Sequence, residues 1–115
     1  MTISVTPNDL VIVKGKTAQF IAMATGISTN ESNFMYQWKK KDGGSLPGKV
    51  SGAILKIPNV AESDEGQYYC NVTNEWGRTV RSNDVSLSIF GMLIVVVTNL
   101  VASTYYSINK PLSNH

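Results

Sequence analysis

The stretch DEGQYYC, residues 64–70, decides the fold predicted for this chain. It begins an alternating pattern in which Tyr68 and Cys70 point to one side of an extended strand and Tyr69 and Asn71 point to the other. Cys70 is the only cysteine among the 115 residues, so it has no partner for a disulfide within the chain. The stretch therefore predicts a strand with one apolar face and a lone thiol on that face.

The same period-two alternation recurs in short runs throughout the first 89 residues, and no convincing amphipathic helix interrupts it. Polar connections rich in Gly, Pro, Asn and Ser separate the runs. This pattern predicts an all-β fold in which two antiparallel sheets pack their apolar faces together as a sandwich. The predicted inward sets are Ala18, Phe20, Ala22 and Ala24; Tyr36 and Trp38; Leu55 and Ile57; and, in a last run over 78–89, Val85, Leu87 and Ile89.

Three features in this order resemble the intermediate set of the immunoglobulin superfamily: Trp38, the run LKIPNVAESDEGQYYCNVTNEWG, and the motif Asp-x-Gly-x-Tyr-x-Cys within that run. The resemblance spans about residues 3–89. It implies an immunoglobulin-like domain over residues 1–89, with Trp38 and Leu55 in the core.

The resemblance also implies structural roles around the turn that precedes Cys70. Tyr68 would form a tyrosine corner, its hydroxyl bonding to main chain near the start of its own strand. Asp64 would fix the preceding turn, and Gly66 would allow its tight backbone.

One departure from the family concerns the disulfide that usually joins the two sheets. The family's first cysteine would fall at Ala22, so Cys70 is expected to face Ala22 across the core. The chain-entropy model assigns such a bond about 4 kcal/mol. We expect packing of Trp38 against Ala22 and Cys70 to offset the loss, with Cys70 acting as a small buried hydrophobe. A reactive or intermolecular thiol is the alternative.

The residues offer little basis for catalysis, metal binding or nucleic-acid binding. The single histidine is His115, the last residue, and no cluster of His and Cys has the spacing of a metal site. The net charge is +2, with both signs scattered rather than gathered into a basic patch. We predict a protein that is not an enzyme, has no cofactor and binds no nucleic acid.

Three exposed positions suggest contacts with the surroundings. Asn30 and Asn71 begin Asn-x-Ser/Thr sequons and are candidates for glycosylation if the chain enters the secretory pathway. Asn30 lies in a predicted loop, and Asn71 points outward from a strand. Trp76 lies in a predicted turn, where exposed aromatic residues often anchor a protein partner.

Residues 90–109 form an apolar segment after the predicted sandwich, followed by a short polar tail over 110–115. A run of about 20 apolar residues is long enough to cross a membrane as a helix. The alternative is a soluble continuation, either an extended strand or the start of a neighbouring domain. The β-branched stretch MLIVVV, which lacks charge and proline, would then need a cover against aggregation.

The resemblance implies a non-catalytic binding module that serves cell adhesion or recognition, with protein partners and homophilic binding as one option. The expected location is the cell surface or extracellular space, with 90–109 as a single-pass membrane segment. The N-terminus has no signal-peptide pattern, which leaves a cytoplasmic location as the alternative. The chain would then be a structural module of the muscle-filament kind or a tail-anchored cytosolic domain.

Overall fold

The computed structural model describes residues 1–26, 33–97 and 100–106, with side chains described up to Gly91. This part of the chain forms strands joined by short connections, among them the 3-10 turn Glu62–Asp64. The strands are β1 (Thr2–Thr6), β2 (Asp9–Val13), β3 (Ala18–Thr25), β4 (Met35–Lys40), β5 (Lys49–Ser51), β6 (Ile54–Ile57), β7 (Gly66–Thr73), β8 (Thr79–Arg81), β9 (Val85–Val97) and β10 (Leu100–Tyr106).

The strands make two sheets. The first has the order β1–β3–β6–β5, and the second has the order β4–β7–β9–β10, with β2 added to β9 and β8 added to β7. The predicted immunoglobulin-like sandwich is confirmed, but one pair, β2 with β9, is parallel. The chain passes from the first sheet to the second between β1 and β2, at Pro7, which the sequence pattern did not reveal.

The core lies between the two sheets and is built from the predicted alternation. In β7 the residues Tyr68, Cys70 and Val72 are fully buried, and the side chains between them are partly exposed. The indole nitrogen of Trp38 donates to the carbonyl of Gly52 at 3.2 Å, which satisfies its one polar group at the edge of the core. The remaining buried apolar residues are Ile3, Val5, Ala18, Phe20, Ala22, Phe34, Leu55, Ile57, Val60, Val85, Leu87 and Ile89.

The last predicted run, 78–89, is two strands, β8 and β9, separated at Ser82 and Asn83. Ser82 is buried; its amide donates to the carbonyl of Cys70 at 2.9 Å, and its hydroxyl accepts from the Cys70 amide at 2.9 Å. The Asn83 side chain accepts from the Val5 amide at 2.8 Å and donates to the Val5 carbonyl at 3.2 Å. Two side chains thus take over main-chain hydrogen bonds, and Asn83 ties β1 to the second sheet.

The apolar segment is extended where the structure describes it. Strand β9 continues to Val97 and pairs with β10 from Gly91 opposite Tyr106 to Val97 opposite Leu100. β-branched residues such as those at 94–97 favour strands. Sequence analysis considered a membrane-spanning helix at 90–109, but no helix among the described residues is long and apolar enough for that. Residues 98–99 and 107–109, and the tail 110–115, lie outside the described part.

We predict that a chain ending at Phe90 keeps the stability of the full chain. Ile89 is the last buried core residue among the described side chains, and the carbonyl of Phe90 accepts from the Lys14 amide at 2.8 Å, which completes the β2 pairing. A control chain ending at Leu87 loses the fully buried Ile89 and should be destabilised by about 2 kcal/mol or more. Urea denaturation followed by circular dichroism measures both. Unfolding of the chain that ends at Phe90 would mean that residues 91–106 belong to the core.

Candidate functional site

The turn before β7 has the arrangement of a tyrosine corner. The buried hydroxyl of Tyr68 donates to the main-chain carbonyl of Asp64, and the Asp64 carboxylate accepts from the Ala61 amide at 2.9 Å. Burial, followed by the charges of Asp64 and Asp42, raises the pKa of Tyr68 above its usual value, so the hydroxyl stays protonated as a donor. This corner fixes the start of β7.

Gly66 begins β7 with a φ of +144°, a conformation that residues with a side chain rarely adopt. A Cβ atom at this position would also lie 3.2 Å from Cε of Lys40, closer than ordinary van der Waals contact. Both the backbone and the neighbouring side chain therefore favour glycine here.

Ala22, Trp38, Leu55 and Cys70 all lie in the single buried core between the sheets. Cys70 is free and fully buried, and burial raises the pKa of its thiol to about 11. Because the thiolate is the nucleophile, a thiol with this pKa reacts slowly at neutral pH. This environment favours the interpretation of Cys70 as a buried hydrophobe over that of a reactive thiol.

We expect Tyr68→Phe to lower the free energy of unfolding by roughly 1 kcal/mol, because the ring stays in place but the hydrogen bond to Asp64 is lost. Tyr69→Phe, on the outer side of the same strand, is a control that should leave stability almost unchanged. Chemical denaturation of both variants measures the difference. An unchanged denaturation midpoint for Tyr68→Phe would show that the hydrogen bond of the tyrosine corner does not stabilise the domain.

We expect Ala22→Cys to form a disulfide with Cys70 under oxidising conditions, since both positions are buried in the same core on facing sheets. The bond should add about 2–4 kcal/mol to stability if its geometry is unstrained. Ala22→Ser is the matched control, because it adds a similar group without a second thiol. Thiol titration in denaturant counts the free sulfurs. Two free thiols after oxidation would show that the side chains do not meet.

Two large apolar side chains are exposed near one end of the second sheet. Met35, the first residue of β4, is 72% exposed and pairs in register with Thr73, the last residue of β7. Trp76, in the turn between β7 and β8, is 67% exposed. We call Met35, Thr73, Trp76 and Thr79 the Met35–Trp76 surface. The hydroxyls of Thr73 and Thr79 lie 2.7 Å apart and give it a polar border.

The turn that presents Trp76 is held by Asn74. The side-chain oxygen of Asn74 accepts from the amides of Trp76 at 3.0 Å and Arg78 at 2.9 Å. The main chain adds a bond from the Asn74 amide to the Arg78 carbonyl at 2.9 Å, and Gly77 takes a φ of +87°. This network supports a defined turn, a use for which Asn and Gly are well suited. Trp76 is thus exposed on an ordered support.

A charged network lies further along the same sheet. The guanidinium carbon of Arg81 lies 3.7 Å from the ring centroid of Tyr69. The Asp84 carboxylate forms ion pairs with Lys41 at 2.7 Å and Arg81 at 2.9 Å. Hydrogen bonds from Lys41 and then Arg81 hold the pKa of Asp84 below its usual value. These partners satisfy one another. Exposed apolar area on this sheet comes from Met35 and Trp76 and, on β2, from Val11, which is 61% exposed.

Of the two sequon asparagines, Asn71 lies in the described part of the chain and Asn30 does not. Asn71 is partly exposed on the outer side of β7, in register with Gln37 of β4 and Arg81 of β8. Asn30 lies outside the described residues. Among the residues that are described, no three His, Cys, Asp or Glu side chains are grouped so that they could hold a metal ion.

Sequence analysis singled out Trp76 but missed Met35. The signal was available: Tyr36 and Trp38 were assigned to the inner face of β4, so Met35 and Gln37 had to point outward. An exposed aromatic residue and an exposed aliphatic one near the same end of a sheet, with polar side chains between them, have the composition of many protein-binding surfaces.

This architecture, two packed sheets joined at a tyrosine corner, defines an immunoglobulin-like sandwich. A family model described as "Immunoglobulin domain" matches residues 2–74. The chain therefore belongs to the immunoglobulin domain family. The assignment to the intermediate set stays a prediction.

Two similar proteins illustrate the relationship. Over 47 residues, 37% of this chain, the sequence is 49% identical to Contactin-6 of Homo sapiens. Over 79 residues, 67% of this chain, it is 34% identical to the basement membrane-specific heparan sulfate proteoglycan core protein of Mus musculus. The matches span only 5% and 2% of the lengths of these proteins.

Solved structures show the same fold. The N-terminal four immunoglobulin domains of Dscam1 isoform 1.9 superpose with a TM-score of 0.60 at 24% identity, covering 76% of this chain and 20% of that one. Isoform 4.44 gives a TM-score of 0.58 at 24% identity, with 77% and 21% covered. At this identity the likeness concerns the fold alone.

Proposed function

We propose that this chain is a non-catalytic protein-binding module of a cell-surface or extracellular adhesion or recognition protein, and that it binds through the Met35–Trp76 surface. The observation that carries the proposal is the exposure of two large apolar side chains at one end of one sheet. Truncation of a buried interface Trp commonly costs 2 kcal/mol or more, so Trp76 is the expected anchor.

The support beneath this surface makes binding less costly. Met35 lies on a strand paired along its length with β7, and Asn74 holds the turn that carries Trp76. A surface that is already ordered loses less conformational entropy when a partner docks. The second sheet also carries the Lys41–Asp84 ion pair and the paired hydroxyls of Thr73 and Thr79, polar groups of the kind found at the rim of an interface.

The relatives favour an extracellular setting for this role. One is named as a basement membrane-specific heparan sulfate proteoglycan core protein, and its name places it in an extracellular layer. We propose an extracellular location for this chain as well. Its partner would be a protein, and a second copy of the chain is one option. Anchoring through residues 90–109 stays a prediction.

A structural role inside the cell is the second candidate. Cys70 is a free, buried thiol, and domains in reducing compartments do not depend on disulfides. The two candidates differ in whether the chain passes through the secretory pathway, which glycosylation reports directly.

We expect Trp76→Ala to weaken partner binding by about 30-fold, the equivalent of roughly 2 kcal/mol, and Met35→Ala to weaken it less. The control is Met23→Ala, because Met23 is 58% exposed on the opposite sheet. Chain produced in bacteria would be coupled to beads of two colours to detect homophilic aggregation. The same beads would then be applied to an array of purified cell-surface ectodomains.

The comparison between the variants decides the outcome. Equal weakening of binding by Met23→Ala and Met35→Ala would show that binding does not depend specifically on the second sheet, which would contradict the proposal. Full binding by Trp76→Ala would exclude the Met35–Trp76 surface. Circular dichroism of each variant confirms that any loss concerns binding rather than folding.

A further inference from the structure

The sequon Asn71-Val72-Thr73 lies entirely within strand β7. Because successive side chains of a strand point to opposite faces, its first and third residues share one face and its middle residue points to the other. Val72 is fully buried, whereas Asn71 and Thr73 lie on the outer side. The acceptor amide and the hydroxyl that defines the sequon therefore share one face of the folded domain, with the middle residue pointing into the core.

Asn71 is partly exposed on strand β7. The side chain of Asn71 makes no hydrogen bond to another residue in the described part of the chain. Its register partner Arg81 turns to the Tyr69 ring at 3.7 Å and to Asp84 at 2.9 Å. A modification at Asn71 would therefore break no side-chain hydrogen bond of the domain.

The position of Asn71 relates it to the proposed binding surface. Residues two apart on a strand are about 7 Å apart, so Asn71 lies about that far from Thr73. Thr73 pairs with both Met35 and Thr79, which puts Asn71 diagonal to these two residues on the same face. Since an N-glycan is bulky, one attached at Asn71 would extend across neighbouring positions.

We infer that Asn71 is an N-glycan acceptor and that its glycan closes the Met35–Trp76 surface, so that glycosylated and unglycosylated copies of the chain differ in binding. The inference rests on the proposed extracellular function, because the glycan is added only in the secretory pathway. A glycan on Asn71 would thus regulate binding by covering the Met35–Trp76 surface.

The first measurement tests the site. The full chain, fused behind a secretion signal, is produced in a eukaryotic host, and its intact mass is measured with and without enzymatic removal of N-glycans. Asn71→Gln and Thr73→Ala should each lose one glycan mass, whereas Thr73→Ser should keep it. Ser32→Ala removes the Asn30 sequon and serves as the control. An unchanged glycan mass in Asn71→Gln would overturn the site.

The second measurement tests the effect on binding. Secreted wild-type chain and secreted Asn71→Gln are compared in the same bead and ectodomain assays, with Ser32→Ala made in the same host. We expect Asn71→Gln to bind as the bacterial chain does, and the glycosylated chain to lose binding at the same concentrations. Equal binding by the glycosylated chain would overturn the closing effect.

The two proposals fail in different ways. Bacterial chain that binds, together with a secreted chain that carries no glycan on Asn71, overturns the glycan site and leaves the binding function intact. If beads carrying the bacterial chain neither aggregate with one another nor bind any ectodomain, the proposed binding function is overturned. The closing effect of the glycan is then overturned as well. The mass of Asn71→Gln still decides whether Asn71 carries a glycan.

Discussion

Packing between the inner faces of the two sheets is the interaction on which the rest of this structure depends. The chain has one cysteine, so no disulfide within it can join the sheets. Cys70 and Ala22 lie in the core with Trp38, and their small side chains leave the larger residues to fill the space. A core of this kind gains its stability from apolar burial, which is roughly proportional to the area removed from water. Because nothing covalent restrains the unfolded chain, hydrogen bonds that fix strand ends matter more here.

Ser82 and Asn83 supply such hydrogen bonds at the point where the last strand is interrupted. Ser82 bonds to both the amide and the carbonyl of Cys70, and Asn83 does the same for Val5. These bonds satisfy main-chain groups that would otherwise be unpaired where β8 gives way to β9, and an unsatisfied buried group costs about 1–3 kcal/mol. Asn83 also joins residues 78 positions apart in the chain. The interruption therefore links the first strand to the sheet that carries the proposed binding surface.

Sequence periodicity was sufficient for the sandwich and its inner faces, because both depend on the local alternation of side chains, whereas the corner roles of Tyr68 and Asp64 came from the family resemblance. It was insufficient for the interruption at Ser82 and for the parallel pairing of β2, since both depend on contacts with distant segments. Length and apolar composition suggested a helix for 90–109, whereas β-branched residues place the described part in β9 and β10. Met35 was missed because attention went to inward residues, although the same alternation fixed its outward direction.

Alternation also couples the core to the binding surface and the glycan site. Since side chains on a strand point to opposite faces in turn, burying Cys70 and Val72 forces Asn71 and Thr73 outward. A slip of one residue in β7 would bury the sequon and expose the core, at a cost far above any gain at the surface. The register that holds this domain together without a disulfide therefore also sets Asn71 beside the Met35–Trp76 surface. Binding and its control by a glycan would share one structural cause.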